Sequence, residues 1–130
     1  MNNPVKFISN FKLPKTLKEV NEVSNLLKGT PKKVKCLHKP NCFENDCHNN
    51  VNKYIHMYGG ELITGFYLLI NSDDGNWVAI RHSIWKNPFG NIIDITKFKD
   101  ERSYNIFIKT DDYLNYTAIE KNKEGIMIFH

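Results

Sequence analysis

The sequence predicts an α+β domain. Hydrophobic residues recur with helical spacing up to Tyr58, and the pair Gly59-Gly60 then stops that pattern. From Glu61 onward the apolar residues alternate with period two. Helices first and strands afterwards give N-terminal helices packed on an antiparallel sheet. The 130 residues, 41% hydrophobic and 25% charged, suit a single globular domain over 1–130.

Each element has a local reason. Residues 1–15 read as a basic extended arm, with Pro4 and Pro14 bracketing Val5, Phe7, Ile8 and Phe11. Thr16 caps a helix to about Lys28, with Leu17, Val20, Ser24 and Leu27 on one face and Gly29 ending it. Val34 to Leu37 forms a short strand, and residues 38–45 have loop composition. Asp46 is an N-cap for a helix over 47–58, whose inner face carries Cys47, Val51, Tyr54, Ile55 and Tyr58. Strands follow over Glu61–Ile70, Asn76–Lys86, Ile92–Thr96 and Tyr104–Thr110, separated by turns at 71–75 and 87–90 and a charged loop at 97–103. Residues 111–124 carry no clear period, and Gly125–Phe129 reads as a last strand.

The longest apolar run, Phe66 to Ile70, is far short of a membrane span. The start, Met-Asn-Asn-Pro-Val-Lys-Phe, has no secretory core, so cytoplasmic residence, of the producer or of a host cell, is expected. Three cysteines, Cys36, Cys42 and Cys47, argue against a disulfide framework. Residues 1–40 hold nine Lys against Glu19 and Glu22, a net of +7, whereas residues 41–130 hold nine Lys and Arg against twelve acids, a net of −3. Such an arm could meet nucleic acid or an acidic partner, or could be a solvated lysine-rich helix face.

The chemistry centres on Cys47. A thiol in the first helical turn sits beside unpaired N–H groups and the positive end of the helix dipole, which favours the nucleophilic thiolate. His82 interrupts the apolar face Val78, Ile80, Ile84 of one strand, and Asp94 interrupts the isoleucines of the next. Each is costly to bury alone, and each would explain the other. An even hairpin register puts them opposite or one step diagonal on one face; an odd register puts them on opposite faces. A four-residue turn at 87–90 gives the odd register, so a bulge at Gly90 or a longer loop is required. Cys47, His82 and Asp94 would then form a nucleophile, base and orienting carboxylate. The Cys47 N–H, with Asn41, Asn45 or a loop amide, would hold an oxyanion, and Trp85 would pack a second layer or line the cleft edge.

A rival grouping is Cys36, His38, Cys42 and His48, four donors that could hold zinc, although their spacing matches no standard finger. No cofactor is expected on the thiol reading. His56 and His130 read as ordinary surface residues.

The order Cys47, His82, Asp94 resembles the transglutaminase-like branch of the papain-fold cysteine enzymes. The matching segments are Gly59-Gly60-Glu61-Leu62-Ile63-Thr64-Gly65, His82-Ser83-Ile84-Trp85, Pro88-Phe89-Gly90 and Asn91-Ile92-Ile93-Asp94. The likeness covers residues 45–98, the expected catalytic core, and departs from the family in flanking Cys47 with Asp46 and His48 rather than an aromatic residue. The chain is also similar to small phage and bacterial proteins with a Cys-His-x-Asn-Val segment, a likeness that implies no function. The family resemblance implies a papain/transglutaminase-like core and a thiol-dependent hydrolase or acyltransferase acting on a protein or peptide amide. The alternatives are a small zinc-stabilised binding module and a catalytically inactive papain-like adaptor or inhibitor.

Overall fold

The computed structural model describes residues 11–15, 20–71, 73–110 and 116–129. Among them are two helices, α1 (Asn21–Leu27) and α2 (Cys47–Tyr58), and seven strands. The strands are β1 (Pro31–Cys36), β2 (Glu61–Ile70), β3 (Trp77–Lys86), β4 (Ile92–Asp94), β5 (Tyr104–Lys109), β6 (Ala118–Asn122) and β7 (Gly125–Phe129). Their hydrogen-bonded order is β2-β5-β1-β4-β3-β6-β7, and β2 also pairs with β3. That ring of pairings is a closed five-strand mixed β-barrel with two outer strands, so the fold is mostly β.

The expected α+β arrangement, with N-terminal helices on an antiparallel sheet and a papain/transglutaminase-like core, is therefore corrected. Two features overturn it. The strand near Val34 starts at Pro31 and pairs in parallel with β4, Lys35 facing Ile93 and Cys36 facing Asp94. Residues 118–122, which have no readable period, pair with both β3 and β7. The first helix is described over Asn21–Leu27. Thr16 and Leu17 lie outside the described residues, as do most of the basic arm and His130. Lys28 rather than Gly29 takes the left-handed position that ends α1. Gly29 is needed for closeness instead, since a Cβ there would lie 2.3 Å from Ile108 Cγ2.

The chain divides into two compact units. One combines residues up to Lys32 with Gly65–Arg81 and the segment from Ile106 on. Its interior is apolar, with Val23, Leu27, Phe66, Val78 and Ile108 fully buried. Trp77 Nε1 and Lys121 Nζ both donate to Glu22, which ties α1 to β3 and β6. The second unit combines Lys33–Thr64 with His82–Asn105. Its core is Cys42, Val51, Tyr54, Trp85 and Ile95, with Ile55, Leu62 and Ile93 packed against it. The inward stripe of α2 supplies three of these residues, which is what its helical spacing is for.

Two turns of the second unit decide what sits beside what. Gly59 (φ 85) and Gly60 (φ 96) end α2 in a conformation that side chains disfavour. A Cβ at Gly60 would meet Lys86 O at 2.2 Å and Trp85 Nε1 at 2.8 Å, so the chain enters β2 directly against the end of β3. The β3–β4 hairpin closes with Asn87 N donating to Asn91 O at 2.9 Å, around the loop Pro88-Phe89-Gly90, with Gly90 left-handed (φ 88). Gly90 N donates back to Asn87 O at 2.9 Å, so the turn at 87–90 forms and its left-handed Gly90 is the one-residue bulge, which leaves the register even: Trp85 faces Ile93 and Lys86 faces Ile92. Continued along the strands, that register puts Asp94 one step diagonal from His82 on the same face.

Candidate active site

Cys47 is the first residue of α2 and is half-buried. The chain reaches it through Asn45, which is left-handed (φ 56), and the first helical bond runs from Asn50 N to Asp46 O. Asp46 does not cap with its side chain as expected; its Oδ1 accepts from Asn49 Nδ2 at 2.8 Å. Asn50 fixes the helix start instead. Fully buried, it accepts from Phe43 N through Oδ1 and donates through Nδ2 to Phe43 O and to Thr96 Oγ1.

The thiol meets the imidazole. Cys47 Sγ is close enough to the His82 side chain and to the backbone N–H of Ser83 for both to favour its thiolate. His82 Nε2 donates to Asp94 Oδ2 at 2.6 Å, which leaves Nδ1 for the thiol. The carboxylate receives two further donors, Asn105 Nδ2 on Oδ2 at 2.7 Å and Thr96 N on Oδ1 at 3.2 Å. His82, Asp94 and Asn105 are all buried, and no buried side-chain polar atom among the described residues lacks a hydrogen bond.

Electrostatics follow from this packing. Burial alone would push the Cys47 thiol up. The hydrogen bond and charge of His82, with the Ser83 N–H, outweigh it and hold the thiol below its ordinary range. Burial likewise opposes charge on His82, but the Asp94 carboxylate and the Cys47 sulfur hold the imidazole well above its usual range. The two shifts favour a thiolate–imidazolium pair at neutral pH. Cys36, facing Asp94 across the parallel strands, goes the other way: burial and the Asp94 charge push it up to about 12. Burial raises Cys42 too. Of the three thiols, only that of Cys47 is shifted toward the thiolate.

The other expected site residues are placed differently. Trp85 Nε1 donates to Gly59 O at 3.0 Å, and its ring packs edge-on to Tyr54 at 5.3 Å, so it serves the C-terminal end of α2 rather than the thiol. Asn41 is left-handed and exposed, and its carbonyl accepts from Lys53 Nζ. Asn45 turns the chain into the helix. The zinc grouping is not assembled. His38 Nε2 donates to Cys42 O, Cys42 is in the core, and His48 Nδ1 lies 3.4 Å from Ser83 Oγ. Among the described residues no three His, Cys, Asp or Glu side chains are gathered to hold a metal. No helix described is long and apolar enough to cross a membrane.

Sequence reasoning missed Asn50, Ser83, Thr96, Arg102 and Asn105. Asn105 carried a usable signal, since it interrupts the apolar strand Tyr104–Lys109 just as His82 and Asp94 interrupt theirs. Comparison with family models, curated proteins and solved structures finds no match to this chain.

Proposed function

We propose that the protein is a thiol-dependent hydrolase or acyltransferase acting on an amide bond in a peptide or protein. The observation that carries this reading is the buried, hydrogen-bonded His82–Asp94 pair beside the Cys47 thiol at a helix start. A half-buried thiolate beside a buried imidazolium is an uncommon arrangement for purely structural purposes, because it takes charge out of water.

The thiolate attacks the carbonyl carbon, forming a C–S bond and moving the carbonyl π electrons onto oxygen. N–H groups at the start of α2, that of Cys47 first, would stabilise that oxyanion. The His82 imidazolium gives its proton to the amide nitrogen as the C–N bond breaks, which leaves a thioester on Cys47. Water or an amine then attacks the thioester while His82 takes the incoming proton, and the thiolate is restored. Asp94 keeps the ring oriented and stabilises its charge throughout.

The test uses an activated acyl ester, p-nitrophenyl acetate, with intact-mass detection. The reading expects one acetyl group on Cys47, lost to water or passed to an added amine, and absent in Cys47→Ala and His82→Ala. No acetyl-Cys47 in a folded wild-type protein would sink it.

A further inference from the structure

The hydrogen-bonded chain does not stop at Asp94. Asn105 Nδ2 donates to Asp94 Oδ2, and on its other side Asn105 Oδ1 accepts from Arg102 Nη1 at 2.8 Å. A side-chain amide has one donor end and one acceptor end, exchanged by a half-turn of the group. A guanidinium only donates, so Arg102 fixes the oxygen toward itself and the NH2 toward Asp94. Without Arg102, the buried amide oxygen loses its donor, and Asp94 alone is left to hold the group in place.

Arg102 is itself clamped. Its Nε and Nη2 donate to the two oxygens of Asp100, both at 2.7 Å, the planar fork that arginine makes with a carboxylate. Its guanidinium lies 4.1 Å from the centre of the Phe98 ring, and Phe98 packs on the His82 imidazole at 5.5 Å. The loop between β4 and β5 thus reaches the imidazole twice, through an amide to its carboxylate and through a ring to its face.

We propose that Arg102 is a positioning residue for the Cys47–His82 pair, acting through the Asn105 amide and the Phe98 ring, with Asp100 holding it in place. Its catalytic consequence rests on the reading of Cys47 as a nucleophile; the positioning itself is read on the His82–Asp94 hydrogen bond. Asp100, with its side chain 60% exposed, is the rim of this clamp.

The experiment follows the proton between His82 Nε2 and Asp94 Oδ2 by NMR, alongside iodoacetamide alkylation of Cys47 at neutral pH. A short, buried bond of this kind gives a far-downfield resonance that exchanges slowly with water. Arg102→Leu is expected to broaden that resonance into exchange. It should also slow alkylation about tenfold, an ordinary coupling within one hydrogen-bond network. Asp100→Asn should act in the same direction and more weakly. Arg102→Lys keeps the charge without the fork and should stay nearer Arg102→Leu than wild type. Where Arg102→Leu does not fold, Asp100→Asn decides. Wild-type exchange and alkylation in the folded variants, or no downfield proton in the wild type, overturn the proposal. A clamp-dependent proton in a protein that never forms acyl-Cys47 supports the positioning and sinks the hydrolase reading alone.

Discussion

His82 Nε2 and Asp94 Oδ2 are 2.6 Å apart, in residues that expose only 3% and 0% of their surface. A pair this dry is held by its surroundings. Thr96 N and Asn105 Nδ2 complete the carboxylate, and the Cys47 sulfur lies near enough to the ring to favour its charge. Removing one partner of such a pair leaves the rest stranded.

Asp94→Ala therefore strands an imidazole, an amide and a backbone N–H in a site built for a carboxylate. Loss of one partner of a buried pair costs about 3–5 kcal/mol, of which His82 can recover some by giving up its proton. Urea denaturation should show a stability loss of about 3 kcal/mol. A loss under about 1 kcal/mol would mean that the pair is not closed in solution.

Cys47 should be the reactive thiol. At neutral pH iodoacetamide should modify it at least ~10-fold faster than Cys36 or Cys42, whose thiols burial pushes up. The alkylation rate should rise with pH on a limb below the free-thiol value of about 8.5. His82→Ala should move that limb upward, because the hydrogen bond and charge that hold the thiol down are then lost. Peptide mapping of the alkylated protein checks both.

What the sequence disclosed and withheld follows from how far each cause reaches. Helix α2 and strands β2 and β3 are legible because their apolar period and their glycine or turn boundaries are local. The His82–Asp94 contact is legible because polar residues interrupting two neighbouring apolar strands constrain one hairpin register. The parallel pairing of β1 with β4 leaves no local trace, since it depends on residues more than fifty positions away. Strand β6 carries Glu120, Lys121 and Asn122 on only partly buried positions, so alternation never develops. Arg102 reads as one charge in a charged loop until the fold puts Asn105 in front of it.

Gly60→Ala tests the turn that seats α2. The added Cβ would meet Lys86 O at 2.2 Å, backbone that cannot step aside, at a φ of 96° that alanine disfavours. Strain and overpacking together should cost about 2–4 kcal/mol in denaturation, with alkylation of Cys47 less selective in what still folds. Gly90→Ala, with nothing within 4 Å of a Cβ, carries the backbone strain without the clash and should cost less.

Asn50→Leu keeps the volume and removes the bonds. Phe43 N and O and Thr96 Oγ1 would lose their partner inside the unit. Stability should fall by about 2–4 kcal/mol, roughly 1–3 kcal/mol being typical for one stranded buried group. Hydrogen exchange should quicken first at Phe43 and in the opening turn of α2. Unchanged protection there would show that the helix start is held by something other than Asn50.

The pH dependence of stability has a definite sign. His82 has a raised folded value, so its contribution is fully present below about pH 6.5 and is lost as pH rises through that raised value. Cys47 has a lowered folded value, so its contribution is present above about pH 8.5 and is lost as pH falls through the lowered value. The ionised pair therefore stabilises most between the lowered thiol value and the raised imidazole value. Cys47→Ser keeps the shape and removes the thiolate, so its stability deficit against wild type isolates the pair. That deficit should be a bell in pH, on the order of 1 kcal/mol at its top and shrinking on both sides. A deficit flat from pH 5 to pH 10 would show that the thiol is neutral and the pair un-ionised.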